Sequence, residues 1–334
     1  MIFSENRFLR DHAPAVRKCV IARTGHLPQF IRESEIMSSH DAHTKGLLLT
    51  ALGGLTLTVD IPLIRLADGG PWSIMLLRTG TTLIAALVIW AVWQRLGRNA
   101  PQLIPGRSGL AVAICYGLTG VTFVTAVFHT STADLVFILA FNTVFAALLS
   151  WLFLRERPGL VTTAAMLVMI LGVLIIVGGS VGTGHLFGDF MALCSAFFVA
   201  LAITISRASG KDMGFTALVG VVLPLAVAAF MVSGEGFHVN APWWIIFNGA
   251  VIMPISFFCL ANGPKYISGP EVAMFYLLET VLAPVWVWLI FAEAPTRNSL
   301  IGGTILIVTL VAHSLWQLHE GRKRRVALAL SHPV

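Results

Sequence analysis

Long stretches without a single Asp, Glu, Lys or Arg constrain this chain more than any other feature of its sequence. They cover residues 108–133, 135–154, 158–188, 190–206, 213–234, 236–264 and 298–319. An α-helix needs about 20 apolar residues to cross the hydrocarbon layer of a bilayer. Strands of a membrane barrel would instead show segments of about 10 residues that alternate in polarity. The sequence therefore predicts an all-α integral membrane protein, and its 57% apolar against 11% charged residues agree with this class.

Turn residues and charges divide the chain into ten predicted membrane helices. Their ranges are 46–66, 71–94, 108–129, 131–154, 159–180, 186–206, 213–233, 242–262, 268–292 and 298–318. The breaks carry residues that favour turns, such as Gly70-Pro71 and Gly263-Pro264. The four cysteines are scattered and lack a CxxC pattern or a nearby His cluster. We interpret the three cysteines inside apolar segments as packing residues, and we expect no metal site.

The basic residues are distributed very unevenly between the loops. If the amino terminus is cytoplasmic, 19 of the 22 Lys and Arg residues lie on the cytoplasmic side. Only Arg65 and Arg297 fall outside, and Arg78 lies within the second helix. Because cytoplasmic loops carry an excess of Lys and Arg, this predicts a multi-pass protein of the cell inner membrane with both termini cytoplasmic. The net charge of +6 thus reports orientation, and no nucleic-acid partner is expected.

An internal repeat is the most specific feature of the chain. Residues 142–158 align without gaps with residues 279–295, at an offset of 137, and seven of the 17 positions are identical, including a Trp, a Glu and a Pro. The two copies end the fourth and the ninth predicted helix, which are separated by an odd number of crossings. They are therefore predicted to run in opposite directions through the membrane.

The repeat predicts two inverted five-helix halves, 46–180 and 185–318. They are flanked by an amino-terminal tail, 1–44, which we expect to be cytoplasmic and disordered, and by a basic cytoplasmic carboxyl-terminal tail, 319–334. The late start of the apolar pattern suggests that translation begins at Met37. Inverted halves are the plan of many secondary transporters, whose substrate site lies near the membrane midplane between the repeats.

The chain resembles the drug/metabolite transporter superfamily, and within it the ten-helix members built from two EamA-type repeats. The resemblance rests on the segments 151–158 and 278–293, which close the fourth and ninth helices, and on Leu77-Arg78 early in the second helix. It covers about residues 46–318. It implies a carrier of metabolites or amino acids, often an exporter, without a prosthetic group or other cofactor.

Three ionisable residues and one amide within the predicted helices are candidates for handling substrate or protons, since such residues are costly in a membrane. Asp60 and Arg78 lie at similar depths and are able to pair, either as a gate or substrate-carboxylate clamp or as a static ion pair that fixes helix packing. Glu279 falls near the middle of the ninth helix, and Asn142 is its repeat equivalent. Glu279 is a candidate for proton exchange or for binding a substrate ammonium, with structural hydrogen bonding as the alternative.

Two aromatic residues of the ninth helix are further candidates. Tyr276 precedes Glu279 by about one helical turn, and Trp288 is matched by a Trp in the first repeat. Both are candidates for an aromatic substrate wall, although membrane Trp and Tyr residues are more often interfacial anchors. Asp134 and Asp189, at predicted helix starts, are expected to cap the amino ends of their helices.

These observations predict a secondary transporter that moves a small organic metabolite by alternating access. An amino acid or a similar zwitterion is the expected substrate, export is the expected direction, and protons are a candidate coupling ion. The lipid bilayer is the other expected partner, and the sequence leaves the oligomeric state open. The alternatives are an intramembrane enzyme, for which no HExxH or GxSG pattern is present, and a membrane sensor, for which the tails are short.

Overall fold

A computed structural model describes residues 44–96, 102–155, 158–210, 213, 215–262, 266 and 269–331. The regular structure in these ranges is helical, apart from one antiparallel bridge between Gly69 and Val239. Met37 lies outside the described residues.

The helices follow the predicted order along the chain. They are α1 (Thr44–Leu66), α2 (Pro71–Arg95), α3 (Gly106–His129), α4 (Thr132–Leu139 and Asn142–Leu154), α5 (Leu160–Gly179), α6 (Leu186–Ser209), α7 (Thr216–Gly220 and Val222–Glu235), α8 (Pro242–Phe247, Asn248–Ile252 and Met253–Asn262), α9 (Gly269–Phe291) and α10 (Arg297–Ser331). The largest difference from the predicted ranges is at α10, which continues as a helix through most of the segment predicted as a tail.

Within the described ranges, nine helices are long and apolar enough to cross a membrane. The all-helical membrane class predicted from the sequence is therefore confirmed. The remaining helix, α9, has 23 residues, but its apolar stretch Leu278–Phe291 is shorter than the other nine helices. A crossing by α9, and with it the number ten, stays a prediction.

Four helices are interrupted within their length, and proline accounts for three of the interruptions. A proline lacks the N–H that would bond the carbonyl group four residues earlier. Pro62 follows a turn at residues 58–59 in α1, and Pro224 follows the break in α7. Pro254 follows the five-residue π-helical segment of α8. The interruption in α4, at residues 140–141, has no proline, and no feature of the sequence explains it.

Two adjacent glycines let α1 lie against two helices at once. A Cβ on Gly53 would be 2.8 Å from the Cβ of Cys259 in α8. A Cβ on Gly54 would be 2.6 Å from the carbonyl oxygen of Phe275 in α9. Both distances are shorter than van der Waals contact, so only glycine permits this approach. The part of α1 before its interruption is thereby held against α8 and α9 together.

Many of the helix contacts repeat when the first five helices are exchanged for the last five. The contact between α3 and α6 corresponds to the contact between α8 and α1. In the same way, the contact between α4 and α6 corresponds to that between α9 and α1, and the contact between α3 and α7 corresponds to that between α8 and α2. The pairs α2–α7, α4–α9 and α5–α10 are their own counterparts. In the last pair, Gly172 and Gly302 each face the other's carbonyl oxygen.

Arg155 and Ala292 adopt the same unusual backbone conformation at two helix ends. They directly follow α4 and α9, and their φ angles are 56° and 54°. This left-handed region costs a residue with a Cβ about 1–2 kcal/mol. The two residues are 137 positions apart, which is the offset of the sequence repeat. Both copies of the repeat therefore end with the same backbone turn.

Candidate functional site

Asp60 and Arg78 form a buried ion pair between α1 and α2. Nη2 of Arg78 donates to Oδ2 of Asp60 at 2.8 Å, and Nε donates to Oδ1 at 3.2 Å. Asp60 is 2% exposed and is the first residue after the interruption of α1. The guanidinium carbon lies 5.7 Å from the ring centroid of Phe123, a cation–π distance. The pairing that the sequence suggested is therefore present.

Asn248, which was not among the residues predicted from the sequence, completes this cluster from α8. Its Nδ2 donates to Oδ1 of Asp60 at 2.7 Å and to the carbonyl oxygen of Asp60 at 3.0 Å. Asn248 is fully buried, and its Oδ1 has no partner among the described residues. It begins the π-helical segment of α8. Such segments are rare in proteins overall, and those that occur often lie at functional sites. The signal that could have revealed it is an amide inside an apolar helix without charged residues.

Glu279 reaches the same cluster from α9. It is the eleventh of the 23 residues of that helix and is partly buried. Its carboxyl group is near enough to Asp60 and Arg78 for electrostatic interaction with both. Four helices, α1, α2, α8 and α9, thus bring one cation, two acidic groups and one amide together. We call Asp60, Arg78, Asn248 and Glu279 the central cluster.

The other predicted site residues have no described contact with the central cluster. Asn142 begins the second part of α4, directly after the interruption, and is partly buried. The side chain of Tyr276 lies outside the described residues. The side chain of Trp288 is 54% exposed. The neighbouring Trp286 instead donates from Nε1 to the hydroxyl of Thr58, at the interruption of α1, at 3.1 Å.

A second polar cluster holds one end of the bundle together, and we call this the Arg65 end. Arg65, near the end of α1, is ion-paired with Glu293, which follows α9. Glu293 also accepts from the backbone N–H of Thr132, the first residue of α4, at 3.2 Å. The end of α9 therefore lies beside the start of α4.

Asp134 lies buried in the first turn of α4 at this end. Its carboxylate does not cap the helix as the sequence predicted, because the N-cap residue is Ser131, whose hydroxyl oxygen accepts from the Asp134 N–H. The Asp134 carboxylate accepts in return from Ser131 and also from Ser299 of α10. Asp134 thereby links the starts of α4 and α10.

Asp189 does not cap α6, so the prediction of a capping role was wrong. The first turn of α6 has no side-chain cap, and Asp189 accepts instead from the hydroxyl of Thr130. The cause is Gly188, whose missing side chain lets α6 approach the backbone of His129 and Thr130; a Cβ there would be 2.4 Å from the carbonyl carbon of His129. Among the described residues, no group of three or more His, Cys, Asp and Glu side chains is arranged to hold a metal ion.

Comparison with known proteins assigns this chain to a protein family. The model of the EamA-like transporter family matches the chain twice, at residues 44–178 and 186–315. The chain belongs to the EamA-like transporter family. It is similar to the pseudopaline exporter CntI of Pseudomonas aeruginosa, with 24% identity over 284 residues, which cover 82% of this chain and 97% of CntI.

Two further similarities agree with the family. The uncharacterized transporter YdfC of Bacillus subtilis is 27% identical over 172 residues, which span 49% of this chain and 56% of YdfC. A solved crystal structure with 15% identity matches the fold with a TM-score of 0.59 over 82% of this chain and 98% of the other. This EamA-family chain is therefore a multi-pass membrane protein and a transporter by family, and its relatives are transporters, not enzymes.

Proposed function

We propose that this EamA-family protein is a secondary transporter that moves a small organic metabolite, an amino acid or a similar zwitterion, by alternating access. The observation that carries the proposal is the central cluster, because it holds ionisable groups between helices that are long and apolar enough to span a membrane. Such groups are costly in a membrane and mark substrate or ion pathways. The cluster also lies at interruptions of α1 and α8, and interrupted helices form the substrate sites of many transporters.

Alternating access requires two halves that move against each other. The proposed halves are residues 46–180 and 185–318, which form inverted repeats. The double match of one family model supports this division. The exchange symmetry of the helix contacts and the shared turn at Arg155 and Ala292 support it as well. Inversion is supported by the end of α9, which lies beside the start of α4 although the two helices are repeat equivalents.

The Arg65 end is the proposed closed gate. Opening the central cluster toward this end would separate α1 from α9, and the ion pair between Arg65 and Glu293 joins these two helices. The distribution of Lys and Arg supports an orientation in which this end lies at the outer face of the cell inner membrane, with both termini cytoplasmic. In this orientation the structure represents a state closed to the outside.

Direction and coupling complete the proposal. One relative, CntI, is an exporter, and export is the direction we propose here. Glu279 is the proposed coupling residue, which carries a proton or contacts the substrate, whereas Asn142, Tyr276 and Trp288 remain proposed substrate contacts. The driving force is a proton gradient or the gradient of the substrate itself. If Asp60 and Arg78 were only a static ion pair, Glu279 alone would carry this role.

Counterflow in proteoliposomes tests the proposal. The purified protein is reconstituted into vesicles loaded with one unlabelled metabolite, and accumulation of the same labelled metabolite is measured across a broad panel. We expect accumulation of at least one amino acid or zwitterion above protein-free vesicles. A protein that exchanges no metabolite in this screen, yet hydrolyses a lipid or a peptide, would overturn the proposal.

A further inference from the structure

The hydrogen bonds within the central cluster show which of its groups are already used. Asp60 accepts from Nε and Nη2 of Arg78 and from Nδ2 of Asn248, so both of its carboxylate oxygens are engaged. Asp60 is also 2% exposed. A carboxylate in this condition positions its neighbours and offers little to a ligand. Asp60 is therefore a positioning residue for Arg78 and Asn248.

Three groups of the cluster have hydrogen-bonding capacity left. Nη1 of Arg78 has no hydrogen bond within the described ranges, and the side chain of Arg78 is 11% exposed. Oδ1 of Asn248 is buried without a donor in the described part of the chain. The Glu279 carboxyl group likewise has no hydrogen-bond partner among the described residues, although it interacts electrostatically with Arg78. The free set is one cationic donor and two acceptors.

Asn248 is held in this position by the backbone around it. A Cβ on the next residue, Gly249, would be 2.4 Å from the carbonyl oxygen of Arg78 and 2.0 Å from the hydroxyl oxygen of Thr81. The backbones of α8 and α2 are therefore in direct contact one residue away from the Asn248 amide. The side chains of Asn248 and Arg78 both donate to the Asp60 carboxylate, so the Asn248 amide and the Arg78 guanidinium are held beside each other as one unit.

We infer that this unit recognises an α-amino-acid headgroup, an inference that rests on the proposed function. The substrate carboxylate lies on Nη1 of Arg78, and the substrate ammonium donates to Oδ1 of Asn248 and to Glu279. An ammonium has three donors and no acceptor, which matches two free acceptors, while a guanidinium suits a carboxylate. Asn248 is then a specificity-determining residue, because a substrate without the ammonium leaves its buried Oδ1 unpaired. Sites built around such polar groups reject analogues that lack the matching donor.

Competition counterflow with the wild-type protein is the first test. Proteoliposomes exchange a radiolabelled amino-acid mixture while an excess of unlabelled competitor is present. The competitors are the amino acids, the matching primary amines, which lack the carboxylate, and the matching 2-hydroxy acids, which lack the ammonium. We expect amines and hydroxy acids to compete at least about tenfold less well than amino acids. Hydroxy acids that compete equally well would overturn the inference without any variant.

Asn248→Ala and Asn248→Leu, which both remove the side-chain acceptor, form the second test, with the exposed Asn240→Ala as matched control. Loss of the acceptor should reduce the preference for amino acids over hydroxy acids by about tenfold or more. A merely structural role would lower exchange of both classes equally, and that result would contradict the inference. Asn240→Ala should keep the wild-type preference.

The outcomes separate this inference from the proposed function. A wild-type protein that exchanges labelled amines or organic acids but no amino acid is still a transporter, and only the headgroup assignment falls. A protein that exchanges none of the three classes, and nothing in the broad metabolite screen, counts against transport itself.

Discussion

Glu279 is the residue whose exchange gives the clearest functional test. It sits in the middle of α9 beside Asp60 and Arg78, and glutamine keeps its shape while removing its charge and its proton. We predict that Glu279→Gln abolishes transport or removes its pH dependence while membrane insertion is unchanged. Counterflow at several pH values measures this, with the exposed Glu235→Gln as control. Unchanged transport and pH dependence would make Glu279 structural.

The buried pair of Asp60 and Arg78 separates structure from function in a double-mutant cycle. Asp60→Leu leaves the Arg78 charge buried and unpaired, and breaking a buried pair this way costs about 3–5 kcal/mol. The double variant Asp60→Leu/Arg78→Leu should recover much of this stability, measured by thermal unfolding in detergent. Under the proposed function the double variant does not transport. A stable double variant with full transport would show that the pair is static.

At the scale of the helices, close approach at glycine is testable with a matched pair of variants. Gly54→Ala places a methyl group 2.6 Å from a backbone oxygen of α9, so we predict a loss of stability of about 1–3 kcal/mol. Gly178→Ala, in α5, meets nothing within 4 Å and should be neutral or stabilising by up to about 1 kcal/mol. Equal thermal stability of the two variants would argue against direct packing of α1 on α9.

At the turn after α9, introducing a glycine is predicted to stabilise the protein. Ala292 has a φ of 54°, where a Cβ is unfavourable, so Ala292→Gly should stabilise the protein by up to about 1 kcal/mol. Ala283→Gly serves as control, since Ala283 is buried within α9 and its loss should destabilise. A lower midpoint of thermal unfolding for Ala292→Gly would contradict the assigned conformation.

At the scale of the whole molecule, the Arg65 end predicts which contacts hold one face closed. We expect Glu293→Gln to weaken the joint between α1, α4 and α9. In a background without the four native cysteines, Thr132→Cys reports the change, because Thr132 is 1% exposed. Labelling by a membrane-impermeant maleimide should rise several-fold in Glu293→Gln. It should not change in the control Asp68→Asn, and equal labelling in all three backgrounds would exclude a gate here.

Much of this architecture could be predicted from the sequence, because hydrophobicity and turn residues act locally. The helix ranges agree with the predictions to within a few residues, except at the end of α10, where helix continues through a basic segment. Asp60, Arg78 and Glu279 were identifiable because charges in apolar segments are conspicuous. Asn248 was not, since an uncharged amide does not interrupt an apolar pattern. Asp189 was assigned to its own helix, whereas its partner Thr130 comes from the loop between α3 and α4.

The sequence by itself determined the membrane class, the order of the helices and the repeat at an offset of 137, because each depends on the spacing of residue types along the chain. Only the tertiary structure decided which polar groups are used up and which remain free. Both carboxylate oxygens of Asp60 are engaged by donors from α2 and α8, while Oδ1 of Asn248 is left without a partner in the described ranges. Hydrogen-bond saturation depends on groups brought together from distant parts of the chain, such as residues 60 and 248, and no local pattern encodes it.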